Sequence, residues 1–494
     1  MRVTLVNSQV LDGNNVVPPL GLMYIAAVLE KAGHKIQIYD ADPEFHDSIV
    51  NEIKAFNPDL IGLSFLTVGY QRAFNLMKKL KKELPNVTYC SGGVHTTVKP
   101  TETMNEFGLD FIVVGEGENT IIEVCEKLEK NESLAGVKGV MYHENGKIVD
   151  TGRREMIKDL DSIPFPARHL IDMTPYLKPP GIIRGFATKN QTTIVTSRGC
   201  PFKCIYCGSH NIFGRQTRRR SVKNVVDEIE HLLKTYGIKG IYYCDDTFTL
   251  SPKWVREYCE ELKRRNLDIK WAGQSRVDQT DKELMQLMKD SGLVQLDFGV
   301  ESGSEKILKV LGKGGHGDRT EQIKHSFKLC KELDIRTLAT FIIGNPEETR
   351  EDIEQSFNVA KEIQADYTAF YFLTPYPGTD IYDMAIKNGW LDPNIPFSEI
   401  WAHRQPELPL MAITFGKEEL RDIRRHLQNA FFVRNYLTRS SNISFYSILF
   451  SILFKHPKVF LDAFGKLLRT RRIDYIVETL NAEYWRMKKY EGAG

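Results

Sequence analysis

A long uninterrupted apolar run is missing from this sequence of 494 residues, and no stretch could cross a bilayer. The apolar start Met1-Arg2-Val3-Thr4-Leu5-Val6-Asn7 is too short for a secretory signal, and no small-residue cleavage site follows it. Both absences lead to the expectation of a cytoplasmic protein. An excess of one charge is missing too. Lys and Arg number 66 against 64 Asp and Glu, a formal net charge of +2, so no nucleic-acid partner is expected. Cysteine is sparse, and its eight residues do not form a secreted disulfide framework. Five of them (Cys90, Cys125, Cys244, Cys259 and Cys330) are scattered and read as buried thiols. Internal repeats and low-complexity segments are absent. The Gly-rich stretch 312–317 lacks Gly-Lys-Ser/Thr and follows no strand, so it reads as a loop rather than a phosphate cradle.

What is present is an ordinary globular mix, 42% hydrophobic and 26% charged, long enough for two or three domains. The first part alternates short apolar strands with helical periods. Strands are expected at 3–6, 35–39, 60–65, 88–91 and 111–114, and helices at 21–32, 72–83 and 118–130. This rhythm argues for a doubly wound parallel sheet over residues 1–135, whose ligand loops lie at the carboxyl ends of the strands. Residues 136–185 read as a β-hairpin around Asn145-Gly146 followed by a Pro- and Asp-rich linker. A second series has strands near 192–197, 240–244, 269–274, 296–300, 336–343 and 367–373. It suggests a partial (β/α)6 TIM-type barrel over 186–385, with its chemistry at the carboxyl ends of the strands. The remainder, 386–494, reads as helical.

The clustered cysteines follow the first barrel strand, in Thr196-Ser197-Arg198-Gly199-Cys200-Pro201-Phe202-Lys203-Cys204-Ile205-Tyr206-Cys207. Three thiolates on one loop leave one iron of a four-iron cubane open to a substrate, whereas electron-transfer clusters use four cysteines. Zinc is the competing reading, because His210 could close a Cys3His tetrahedron and make the chain a non-catalytic binding module. Tyr206 places an aromatic ring beside the site.

The spacing Cys200-x3-Cys204-x2-Cys207, with an aromatic before the last cysteine, resembles the signature of the radical S-adenosylmethionine (SAM) superfamily. Four further segments resemble its barrel motifs in the same order: Tyr243–Phe248, Gly299-Val300-Glu301-Ser302-Gly303, Phe341–Glu347 and Thr374–Thr379. The resemblance implies a 4Fe–4S cluster on Cys200, Cys204 and Cys207. It implies SAM contacts from Tyr206, Asp245, Ser275, Arg276, Glu301, Ser302, Ile343, Gly344 and Tyr376. Structural roles stand beside these: helix caps at Asp245, Asp246 and Glu301, and an ion-pair site at Ser275-Arg276. Arg276, as a guanidinium fork, would suit the SAM carboxylate.

Pro18–Leu22, Ser91-Gly92-Gly93-Val94-His95 and Val114-Gly115-Glu116-Gly117-Glu118 resemble the cobalamin-binding domain that precedes the barrel in one branch of this superfamily. Glycine-rich loops let backbone approach a large flat ligand. Leu66, Thr67, Gly92, Gly93, His95, Gly115 and Glu116 are the implied cobalamin contacts. The Asp-x-His-x-x-Gly motif that ligates cobalt in related domains is absent, as in other members of the branch.

The resemblance implies a 5′-deoxyadenosyl radical and cobalamin-dependent methylation of an unactivated carbon in a small-molecule or lipid-like substrate. Radical oxidation or cyclisation, as in the anaerobic magnesium-protoporphyrin ester cyclase, is the alternative. A methylthiotransferase would need a second cysteine triad, and the N-terminal part holds only Cys90 and Cys125. A one-electron donor such as flavodoxin or ferredoxin is implied. Apolar residues at helical spacing in 459–468, with Lys466, Arg469, Arg471 and Arg472 nearby, would suit an anionic membrane surface or a cover over the barrel mouth. Arg215 and Arg218–Arg220 read as a loop facing substrate or cofactor.

Overall fold

The computed structural model describes residues 1–8, 17–40, 46–177, 183, 190–279, 281–314, 318–397, 409–431, 461 and 465. The amphipathic segment at 459–472 falls outside them apart from Leu461 and Gly465. Among the described residues no helix is long and apolar enough to cross a membrane.

Two sheets organise the chain. The first contains β1 (Arg2–Asn7), β2 (Lys35–Asp40), β3 (Leu60–Ser64), β4 (Thr88–Gly92), β5 (Phe111–Val113), β6 (Val140–Glu144) and β7 (Lys147–Asp150) in the order β2-β1-β3-β4-β5-β6-β7. The first five strands are parallel. They read as apolar runs because helices cover both faces, and Val3, Leu60, Ile61 and Ile112 are fully buried. The expected hairpin forms on Asn145 and Gly146, both at positive φ, and β6 joins β5 antiparallel. The hairpin thus extends the first sheet instead of standing apart beside the linker. Chain order reverses between β1 and β3, which is where doubly wound sheets open a crevice for ligands.

The second sheet is a six-stranded open barrel. Its strands are β8 (Gln191–Ile194), β11 (Gly240–Tyr243), β12 (Lys270–Ser275), β13 (Leu293–Glu301), β14 (Arg336–Ile343) and β15 (Tyr367–Phe372), all parallel and in sequential order. A two-stranded ribbon of β9 (Ser197–Arg198) and β10 (Arg218–Arg219) brackets the cysteine loop. Local signals start and stop the outer helices. Ser221 caps Val222–Tyr236 by accepting from the Asn224 N–H, and Gly237 ends that helix at φ +58°. Thr349 and Asp352 form a capping box on Arg350–Ile363.

Along the barrel strands, alternate side chains divide shell from interior. Tyr243 lies in the shell with Phe248, Tyr258 and Trp271, stacking on Phe248 at a centroid distance of 4.5 Å. Tyr242 and Cys244 point to the other side. There Tyr242 Oη donates to Asp297 Oδ2 (2.8 Å), and Gln295 Nε2 donates to Asp297 Oδ1 (2.7 Å). Cys244, Gln274 and Tyr371 are solvent-accessible within this interior, so Cys244 is not the buried thiol expected from its isolation.

Candidate functional site

The cysteine loop leaves β9 through Gly199, whose φ is +89°; a Cβ there would lie 2.4 Å from the Gln216 carbonyl oxygen. Only glycine permits so tight an exit. Cys200, Cys204 and Cys207 are free thiols, all partly exposed. Burial raises the thiols of Cys200 and Cys207, while backbone N–H groups of Phe202 and Ser209 donate to their sulfurs and favour thiolate. Those donors suit a cluster, which needs thiolates and gains from hydrogen bonds to sulfur. His210 turns Nδ1 to the Cys207 carbonyl oxygen (3.1 Å). Among the described residues no three His, Cys, Asp or Glu side chains gather tightly enough for one ion. Zinc would draw four ligands to within about 2.3 Å of a point, and His210 instead spends Nδ1 on the Cys207 carbonyl.

Opposite the loop, β13 ends in a bulge. Glu301 sits at φ +68°, an uncommon conformation for a side chain of that size, and the register with β14 slips between Gly299 and Glu301. Its carboxylate accepts from Tyr206 Oη (3.0 Å) and Lys313 Nζ (2.8 Å). Lys313 also donates to the Gly299 carbonyl. The stretch 312–314 is indeed a loop, and Gly312 packs against the Lys203 backbone of the cysteine loop. Tyr206, Ile205, Ile342 and Tyr376 meet in one apolar cluster beside the site. Gly344 follows β14 at φ +82°, and its N–H donates to Glu348 Oε2 (2.6 Å); Ile343 is fully buried in the shell.

Other expected SAM contacts are committed elsewhere. Asp245 accepts from Thr196 N (2.6 Å) and Ser197 Oγ (2.6 Å), pinning the strand that leads into the cysteine loop. Its side chain is buried, and among the described residues it caps no helix. The neighbouring Asp246 is the open carboxylate, bonded to Ser209 Oγ and raised by burial. Arg276 forks onto Asp278 (3.0 and 3.1 Å) and stacks on Phe202 at 3.6 Å, so the ion pair fixes the guanidinium and the stacking braces the cysteine loop. Ser275 bonds Thr249, and Ser302 bonds Ser356.

At the crevice of the first sheet lies a cavity of about 290 Å³. Leu5, Gly62, Leu63, Cys90, Gly92 and Gly93 contribute to its lining, together with Gly115, Glu116, Gly21 and Leu66. Gly93 (φ +89°) would drive a Cβ to 2.7 Å from Ser64 Oγ. Gly115 (φ +81°) leaves open space. Leu66 and Val94 stand exposed at the rim, a rare display for large apolar side chains. From around the cysteine loop, Val195, Arg198, Ile212 and Phe213 complete the wall. Val94 had no sequence signal of its own.

Two expected cobalamin contacts point away. His95 is fully buried, its Nδ1 on Thr67 Oγ1 (2.9 Å) and its ring among Phe65, Tyr70 and Phe397. Burial and Lys99 push its imidazole down to about 4, so it stays neutral. Thr67 is spent on that bond. Glu116 lines the cavity, but its carboxylate binds Arg198 (2.9 Å) and Arg218 (2.7 Å).

The basic cluster proves internal rather than ligand-facing. Arg215 donates to the Phe202 carbonyl, Arg219 stacks on Trp254, and Arg220 and Arg168 share buried Glu228. Acids, carbonyls and rings of the protein itself already occupy these guanidinium groups.

A loop carrying three partly exposed thiols lies beside a glycine-lined cavity that Val195, Arg198, Ile212 and Phe213 help to wall, an arrangement that suits radical enzymes pairing an iron–sulfur cluster with a corrinoid. A B12 binding domain family matches residues 10–125, and the radical SAM superfamily matches 194–360. An uncharacterized methyltransferase of Pyrococcus horikoshii is 36% identical over 422 residues, 84% of this chain and 88% of that protein. Cytidylyl-2-hydroxyethylphosphonate methyltransferase of Streptomyces wedmorensis is 30% identical, covering 76% and 79%. The anaerobic magnesium-protoporphyrin IX monomethyl ester cyclase of Cereibacter sphaeroides is also 30% identical, covering 77% and 63%. In fold, the chain is similar to the radical SAM methyltransferase TsrM of Kitasatospora setae with cobalamin and a 4Fe–4S cluster bound (TM-score 0.66, 19% identity, 86% and 81% covered). The chain belongs to the family of radical SAM enzymes that carry a B12-binding domain.

Proposed function

We propose that this enzyme methylates an unactivated carbon of a small, hydrogen-bonding molecule, using a 4Fe–4S cluster, SAM and cobalamin. The closeness of the cavity to the cysteine loop carries the reading: Val195 and Arg198 line the cavity, and Cys200 lies two residues beyond Arg198. Bound together, these groups supply a 5′-deoxyadenosyl radical and a transferable methyl group.

The chain's own part is position and exclusion. Cys200, Cys204 and Cys207 would hold three irons. Tyr206, Glu301, Lys313, Ile342, Gly344 and Tyr376 would cradle SAM, with the Glu301 carboxylate as acceptor for its ammonium or ribose hydroxyls. Leu66, Val94, Gly92, Gly93 and Gly115 would receive the corrinoid. Its aromatic nucleotide base suits an apolar cavity of this size. Among the described residues no histidine lines that cavity to meet cobalt. The polar interior formed by Gln274, Asp297 and Tyr371 favours a hydrogen-bonding substrate over a lipid-like one. A cytoplasmic setting and a flavodoxin or ferredoxin donor fit free thiols and a one-electron reduction.

The test is an anoxic reconstitution with SAM carrying a deuterated methyl group, offered to small-molecule extracts. Methylation predicts 5′-deoxyadenosine together with a labelled product. Formation of 5′-deoxyadenosine with an oxidised, unlabelled product would favour cyclisation instead. Lys313→Met is expected to weaken SAM binding by about tenfold, an effect of about 1.4 kcal/mol, because the Glu301 carboxylate loses the ammonium that fixes its position beside the cysteine loop. Calorimetric titration under anoxia, at unchanged iron content, checks it.

A further inference from the structure

The loop expected to greet the corrinoid spends its two acids on the other domain. Gly115-Glu116-Gly117-Glu118 follows β5, and neither carboxylate faces solvent. Arg198 Nη1 donates to Glu116 Oε1 (2.9 Å) and its Nη2 to Glu118 Oε1 (2.5 Å). Arg218 Nη1 donates to Glu116 Oε2 (2.7 Å) and to the Ile157 carbonyl (2.7 Å). The Ile157 N–H closes the set on Glu116 Oε2 (2.9 Å). Arg198 is held between the rings of Tyr24 and Phe213, at 5.4 and 5.5 Å.

Two acids and two bases cancel, and a buried arrangement of this kind is a poor source of stability, since apolar residues of similar shape would serve as well. What a guanidinium fork adds is orientation. One fork engages two acids from a single loop, and only Gly199 separates its backbone from Cys200. β9 and β10 pair through Arg198 and Arg218 themselves, so both bases belong to one ribbon.

Resting on the two-cofactor reading above, we infer that Arg198, braced by Arg218, is a positioning residue that locks the corrinoid loop to the first cluster ligand and sets the separation of the two cofactors. Arg198 lines the cavity, but its guanidinium is spent on Glu116 and Glu118 and not on a reacting atom. It acts by making the cavity wall and the cysteine loop one rigid unit, so that methyl donor and radical source address the same substrate carbon.

The experiment uses the full chain, reconstituted with iron, sulfide and hydroxocobalamin. Arg198→Met is expected to bind both cofactors at wild-type stoichiometry. The paramagnetic coupling between reduced cluster and cobalt should change, and methyl transfers per 5′-deoxyadenosine should fall by about tenfold to a hundredfold, the usual consequence of misplacement near 1 Å. Arg198→Lys, a point charge without a fork, should recover only part of this. Unchanged coupling and ratio in Arg198→Met would overturn the proposal, and so would loss of iron with corrinoid retained, which makes Arg198 a loop-folding residue alone. If Arg198→Met does not fold, Glu118→Gln is the milder probe. Hydrogen exchange on cluster-loaded protein without corrinoid should then loosen residues 114–118 and 197–207 together. Loosening of 114–118 alone refutes the clamp. If the wild-type chain binds no corrinoid while Glu118→Gln still loosens both segments together, the methyltransferase reading falls and the clamp remains as an interdomain lock.

Discussion

Cys204→Ala is expected to take 5′-deoxyadenosine formation to background and iron well below the roughly four per chain of an intact cubane. Cys204 is the middle ligand of the loop, and both neighbours feel its charge. The remaining thiols are poor replacements. Cys90, Cys125, Cys259 and Cys330 are buried in the sheets and helices, and burial drives the Cys125 thiol to about 12 and that of Cys259 to about 11. Cys244 alone among the rest is accessible, at the end of β11, and burial of its surroundings pushes it to about 12 as well. A thiol that reluctant to ionise is a poor iron ligand. Cys244→Ala therefore serves as the control and should keep full iron. Iron and 5′-deoxyadenosine are measured on the same anoxic preparations. Radical formation persisting in Cys204→Ala would remove the cluster from this loop; iron lost from Cys244→Ala would add an unrecognised ligand.

Both sheets were legible because parallel strands covered on two faces must be apolar runs of a few residues, and helical periods between them leave little choice of topology. The turn at Asn145-Gly146 and the thiol spacing were equally local. What was not legible is where each charged side chain finds its partner. Glu116 meets Arg218 across 102 residues and Arg198 across 82. Asp245 reaches back 49 residues to Thr196. Such pairs are chosen by tertiary packing, and a sequence shows only that an acid lies in a loop. Asp245, Glu116 and the arginines at 218–220 read as ligand contacts from the sequence, and the structure gives each of them protein partners as well. Arg276 differs, since its partner Asp278 is two residues away and an ion pair was foreseeable. Lys313 lies in a glycine-rich loop whose sequence carries no sign of its partner Glu301, 12 residues away. His95 illustrates another limit: a histidine after Gly-Gly suggests a ligand, yet the aromatic cage of Phe65, Tyr70 and Phe397 is assembled from distant segments.

Gly21→Phe is the substitution expected to separate the two halves of the chemistry. Gly21 lies in the helix Leu20–Lys31, and an added Cβ meets nothing within 4 Å. Removing glycine from a helix costs nothing intrinsically and gains a few tenths of a kcal/mol, up to about 1 for alanine. The fold should therefore survive. The same residue lines the cavity at the β1–β3 crevice, so a benzyl group there takes space that a corrinoid would need. Corrinoid bound after reconstitution should fall at least about tenfold, an effect of about 1.4 kcal/mol or more. Iron should remain at wild-type level, because the cysteine loop is held from the barrel side by Asp245, Arg276 and Gly312. The variant should still cleave SAM to 5′-deoxyadenosine but transfer no methyl group. Undiminished corrinoid binding would move the cofactor out of this cavity. Loss of corrinoid with product formation intact would strip cobalamin from the reaction and leave a radical enzyme whose N-terminal sheet is a scaffold.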